Sequence, residues 1–311
     1  MADFLTLILP IFLLIGLGFL ALRTGVALPA HIEGMAGFVL NFALPALIFN
    51  ALLRGDVQQF VGIRFFAGYA LGSLVAFTCV ALAWRYIAGR PLSQAAIAGL
   101  GASSSNTGFI GFPVASLAFG APALAVLAPI MLVENLLIVP LALALAEFGM
   151  GGQGSARRSL AMAGRRLARM PLIWAIVLGG LLAFFEVPMP AGVTKAVEML
   201  ASASAPCALF VVGGVVAGLK PGSLAGDIGW IVVGKLVLHP LAVAAAFLAV
   251  GGVEPELSAI GILIASVPML TVYPILGRRF DMASLCAAAL VVTTGLGMAT
   301  LAIVLALLPG R

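Results

Sequence analysis

The chain has 311 residues, of which 63% are hydrophobic and only 9% charged. Soluble domains run near ~45–50% apolar and ~25% charged, so this composition excludes a water-soluble globule and specifies an integral membrane protein. The net charge of +5 is too small to imply a nucleic-acid partner, and Cys79, Cys207 and Cys286 sit in apolar runs without disulfide or metal spacing.

A bilayer-crossing helix needs about 20 apolar residues. Ten such spans are predicted, giving an all-α fold: Phe4–Leu22, Ile32–Leu53, Ile63–Ile87, Gln94–Phe119, Ala121–Glu147, Met170–Phe185, Gly192–Leu219, Asp227–Val250, Glu256–Gly277 and Met282–Leu308. The first does not read as a signal peptide, because Asp3 and no Lys or Arg precedes it. The longest connection, Phe148–Arg169, is Gly-rich and then basic. It reads as a hinge or surface helix between two halves. Eleven Lys and Arg follow odd-numbered spans and four lie on the opposite side. That bias places odd-span ends in the cytoplasm and both termini outside. Trp84, Trp174 and Trp230 fall near the predicted cytoplasmic interface, where aromatic anchors belong.

The prolines repeat. Pro10, Pro29, Pro45 and Pro113 map at a shift of 161 onto Pro171, Pro190, Pro206 and Pro274. Residues 1–150 therefore read as a first five-helix repeat, 151–169 as a cytoplasmic linker and 170–311 as a second repeat. Five is odd, so the repeats are inverted, an architecture that puts a transporter's substrate between the halves near the midplane.

Span 4 is interrupted. Ser103, Ser104, Ser105, Asn106 and Thr107 lie in a long apolar run, followed by Gly108, Gly111 and Pro113. Irregular backbone at bilayer depth is tolerated only inside protein or along a wet cavity. Its mate in span 9 carries Pro268 and Pro274 around Thr271 and Tyr273. The second half-helices are expected to start near Pro113 and Pro274 with their N-termini converging. Two electropositive ends with unpaired N–H groups favour an anion, a carboxylate above all. The candidate substrate-binding residues are Ser105, Asn106, Thr107, Gly111, Pro113, Thr271, Tyr273 and Pro274. In span 2, Pro45 reads first as a packing kink, with Asn41 a further candidate for the cavity.

Glu134 lies at mid-depth of span 5, and Lys235 and His239 are one turn apart in span 8. Ionisable groups at this depth default to a functional reading with a named partner. Glu134 is paired with Lys235, either as an ion-coupling pair or as a structural one. His239, before Pro240, reads as a neutral packing histidine at the edge of that set.

These residues carry a resemblance. Asn106, Thr107, Gly111 and Pro113, then Leu44 with Pro45, Pro206 with Gly213 and Gly218, and Lys235, His239 and Pro240 are together similar to motifs of the auxin efflux carrier family. Its bacterial malonate and malate carriers are the nearest branch. The resemblance covers nearly the whole chain. It implies ten helices with broken, crossing helices 4 and 9. It further implies a scaffold of spans 1, 2, 6 and 7 that often dimerises, and a mobile domain of spans 3–5 and 8–10. Movement would be elevator-like, in a bacterial inner membrane. The 22-residue central connection lacks the long loop of plant members, which argues against auxin itself.

The expected function is secondary transport of a small organic anion, coupled to H⁺ or Na⁺ or driven by the anion gradient. The alternative is a cation–proton antiporter on the same plan, which would want a carboxylate at the crossing that spans 4 and 9 do not supply. No cofactor is expected. A hydrolase using Ser103, Ser104 or Ser105 with His239 is disfavoured, because nothing places the base beside the nucleophile.

Overall fold

A computed structural model describes residues 2–53, 62–150, 169, 171–218 and 227–307. The predicted linker lies outside the described residues except for Arg169, as do Arg54, Lys220 and Arg311 of the orientation count. The described chain is all-helical, with a single isolated antiparallel bridge between Ser105 and Met269.

In order, the helices are α1 (Ala2–Arg23), α2 (Pro29–Phe38), α3 (Leu44–Leu53), α4 (Ile63–Leu82), α5 (Leu92–Ser103), α6 (Phe112–Phe119), α7 (Pro122–Leu132) and α8 (Val139–Gly149). They continue as α9 (Pro171–Phe184), α10 (Ala191–Ser202), α11 (Ser204–Gly218), α12 (Asp227–Val233), α13 (His239–Val250), α14 (Pro255–Ser266), α15 (Tyr273–Gly277) and α16 (Ala283–Leu307). Prolines open α2, α9 and α14 at the position where a missing N–H costs nothing. Gly120 and Gly251, at φ 67° and 66°, end α6 and α13. Among the described residues, six helical stretches are long and apolar enough to cross a bilayer: Pro29–Asn50, Ile63–Ile87, Pro122–Gly149, Ala191–Gly218, Ile228–Val250 and Ala283–Leu307. Shorter apolar helices occupy Leu13–Arg23, Thr107–Phe119, Pro171–Phe184 and Pro255–Ser266.

Several of these stretches are joined rather than continuous. Widened π-turns link α2 to α3 (Val39–Ala43), precede α6 (Thr107–Gly111), link α7 to α8 (Val133–Ile138) and link α12 to α13 (Gly234–Leu238). Each closes two residues before a proline: Pro45, Pro113, Pro140 and Pro240. Proline offers no N–H to the carbonyl four residues back, and its ring crowds that carbonyl. The coil relaxes by adding a residue, so the amides of Leu44, Val139 and His239 reach back five residues to Val39, Glu134 and Gly234. A further π-turn, Ala83–Ile87, ends α4 without such a proline.

The chain forms two compact units. One comprises Met1–Phe60, Gly108–Leu127 and Arg165–Gly218. Here α1 packs on α11 so closely that a Cβ on Gly213 would run into the Ile15 carbonyl oxygen, and one on Gly18 into that of Phe210. Small residues that let backbones touch are the usual device where lipid offers no hydrophobic drive. The other unit comprises Val61–Thr107, Ala128–Gly164 and Leu219–Arg311. In it α4 packs on α13 through Gly72 against Val243 and Gly68 against Phe247.

Candidate functional site

The site lies within the second unit, where two interrupted helices meet. Helix α5 ends at Ser103, whose hydroxyl turns back to the Gly99 carbonyl at 2.8 Å. Ser104 is extended (φ −118°, ψ 135°). Helix α14 ends likewise at Ser266, with its hydroxyl 2.7 Å from the Leu263 carbonyl. Val267 is extended (φ −71°, ψ 160°), as a residue before proline prefers. The two extended segments pair: Ser105 bridges Met269, and Asn106 N–H donates to the Pro268 carbonyl at 2.8 Å. Backbone groups released by the breaks thus satisfy one another in the interior. The chain resumes as a π-turn at Thr107 and as α-helix at Phe112, with Pro113 in its first turn as expected. On the other side it resumes at Tyr273, for only five residues.

Glu134 enters this crossing from its π-turn. Its Oε1 accepts from Ser105 N–H at 2.9 Å, and the Thr107 hydroxyl stands 2.9 Å and 2.8 Å from the two carboxylate oxygens. Only 6% of Glu134 is exposed. A carboxylate this buried persists because donors replace the water it lost. The predicted Glu134–Lys235 pair is therefore not a direct contact. Lys235, fully buried, donates to Ser105 Oγ at 2.7 Å, to the Ala265 carbonyl at 2.8 Å and to His239 Nδ1 at 2.8 Å. An ammonium has three protons, and all three are placed. Ser105 stands between the charges: its backbone meets Glu134 and its side chain meets Lys235. With Nδ1 accepting from Lys235, the other His239 nitrogen carries the proton and donates to Ser73 Oγ at 3.0 Å. The result is a buried chain from Glu134 through Ser105, Lys235 and His239 to Ser73.

Among the described residues, the Ser104 hydroxyl at the crossing has no hydrogen-bond partner. Tyr69 is fully buried, its ring edge-on to His239 and its hydroxyl facing Ser105 and Glu134. Neither Ser73 nor Tyr69 was among the predicted site residues. The signal for both was available in polar atoms on the small-residue face of span 3.

The remaining candidates separate. Asn106 is buried at the crossing. Thr271 and Pro274 lie partly buried in and just after the turn. Tyr273 was expected to bind substrate, but its hydroxyl donates to the Ile97 carbonyl at 2.9 Å and its ring packs on Gly101, so it fastens α15 to α5. Gly111, Pro113 and Asn41 belong to the first unit. The Asn41 amide bonds its own helix at the Gly37 carbonyl, 2.8 Å away, which reads as a helix-internal role.

Comparison with known proteins adds to this geometry. A family model, "Membrane transport protein", matches residues 3–305. The "Putative malonate transporter" of Rhizobium meliloti (strain 1021) is 32% identical over 306 residues, covering 96% of this chain and 94% of that one. The "Uncharacterized transporter YfdV" of Escherichia coli (strain K12) is 29% identical over 243 residues, 76% of this chain and 75% of that one.

Proposed function

The chain belongs to the membrane transport protein family, that of the auxin efflux carriers, and from that footing we propose that it is a secondary carrier of small organic anions. The observation that carries this reading is that the broken-helix donors already hold a carboxylate, the side chain of Glu134. Groups that accept one carboxylate are chemically suited to another, and Asn106 adds an amide at the same place. The substrate is a mono- or dicarboxylate such as malonate or malate. The malonate suggestion is drawn from the name of the Rhizobium relative.

In this reading the chain forms ten membrane spans in two inverted repeats, with residues 92–119 and 255–280 as the broken crossing pair. Spans 1, 2, 6 and 7 serve as scaffold and dimer interface, and the crossing rides in an elevator-like domain. The protein sits in a bacterial inner membrane with both termini outside. The ion pair between Arg279 and Glu147, at 2.7 Å, supports placing the ends of spans 5 and 9 on the same side.

In proteoliposomes, wild-type protein is expected to take up labelled malonate, and Asn106→Ala to lose at least nine-tenths of that uptake. The Asn106 backbone bond to Pro268 survives the change, so folding is retained. Undiminished uptake in the variant removes the crossing from the mechanism. A second reading, cation–proton antiport, gains from one finding: Glu134 brings to the crossing the carboxylate that spans 4 and 9 lack. Dissipation of a vesicle pH gradient on adding Na⁺ or Li⁺, without organic acid, would favour it.

A further inference from the structure

We propose that the Lys235 ammonium is a tethered substitute for a coupling alkali cation, so that the carrier needs no sodium. The crossing is a place where a cation is wanted. Helices α5 and α14 are each 12 residues long and end there. Their last carbonyls lack helical partners and together present the negative ends of two dipoles. Of the half-helices that resume there, α15 has only five residues and offers little positive field, and the start of the one at Thr107 is already met by the Glu134 carboxylate. Ser105 Oγ adds an oxygen, and Glu134 adds a full negative charge one residue contact away.

Lys235 meets this demand. Its Nζ takes the Ala265 carbonyl, from the last turn of α14, together with Ser105 Oγ. A backbone carbonyl at a helix break, a serine hydroxyl and a nearby carboxylate are the oxygen donors that hard cations select. His239 holds the third proton of the ammonium and is itself held by Ser73, so the head group is fixed in place. A charge attached by covalent bonds cannot be exchanged with solution. Wild-type protein therefore has the cation permanently bound, and deleting the ammonium should open a site for a free one.

The proposal rests on the transporter reading only for its uptake arm. Thermal unfolding of purified protein is compared in NaCl and in choline chloride of equal strength. Wild type is expected to melt at the same temperature in both. Lys235→Ala, and Lys235→Gln as a gentler second variant, are expected to melt lower in choline and to recover by about 3 °C, saturably, in Na⁺. Wild-type malonate uptake is expected to be equal with or without a Na⁺ gradient. A wild-type melting point or uptake that rises with Na⁺ overturns the proposal. So does either variant if it melts cooperatively and ignores Na⁺. If neither variant folds, the wild-type melting comparison still decides, a Na⁺ response overturning the idea and its absence supporting it. A wild type that moves no organic acid defeats the carrier reading and leaves the melting arms intact.

Discussion

Glu134→Ala is expected to be among the costliest single substitutions in the chain, and Glu134→Gln much milder. Alanine strips the acceptor from Ser105 N–H and from the Thr107 hydroxyl, both buried, whereas the charge is lost in both variants. Each buried donor left alone costs about 1–3 kcal/mol, and alanine leaves two. The losses share partners and do not add fully, so about 4 kcal/mol is the expected total. For a chain of this length one kcal/mol moves Tm by roughly 2 °C, which gives a fall of about 8 °C. Glutamine keeps an oxygen for Ser105 N–H and an amide for the Thr107 hydroxyl. It loses only the charge-assisted part of those bonds, about 1–2 kcal/mol, or a fall of about 3 °C. Fluorescence-detected melting in detergent measures both. If the two variants melt within about 1 °C of wild type, or fall equally far, the buried network does not hold the crossing together.

Three glycines make further predictions. A Cβ at Gly101 would lie 2.5 Å from the Tyr273 ring, which is pinned by its bond to Ile97, so Gly101→Ala should sharply reduce the yield of monodisperse protein by size-exclusion chromatography. Gly213→Ala drives a methyl into the Ile15 carbonyl and should lower Tm by more than about 5 °C, since backbone cannot step aside. Gly16, in the same helix as Gly18, has nothing within 4 Å of an added Cβ, and Gly16→Ala should melt at or slightly above wild type.

Much of the architecture could be read from residue types alone. Apolar runs place the helices, and a polar cluster followed by Pro113 announces an interruption, because lipid cannot satisfy stray backbone. The partner of the interruption was harder. Pro268 and Pro274 flag a second break, but the pairing of Ser105 with Met269 is a contact across 164 positions that no local pattern encodes. Glu134 and Lys235 were visible as charges out of place, yet their separation by Ser105 depends on where two π-turns aim them. The field at the crossing has a component that residue types alone do not show. Of the two second half-helices, α15 has only five residues and the one starting at Thr107 is met by Glu134, while the two 12-residue helices end at the crossing with carbonyls. Tyr273 shows the reverse: an aromatic hydroxyl next to a break looked available, but it closes a distance to Ile97 that only the folded chain brings within reach.

The π-turn at Val133–Ile138 has a further implication, for length rather than composition. It holds one residue more than a regular coil would, and every side chain upstream of it is phased accordingly. Deleting a single leucine there would leave hydropathy untouched and restore an even spiral. It would also swing Glu134 by about 100° relative to α8, away from Thr107. The same arithmetic applies to Lys235 ahead of Pro240. In this protein a silent-looking one-codon gap in either segment would be more disruptive than many charge substitutions at the rim, and a register that tolerates such gaps in a related chain would signal a differently wired interior.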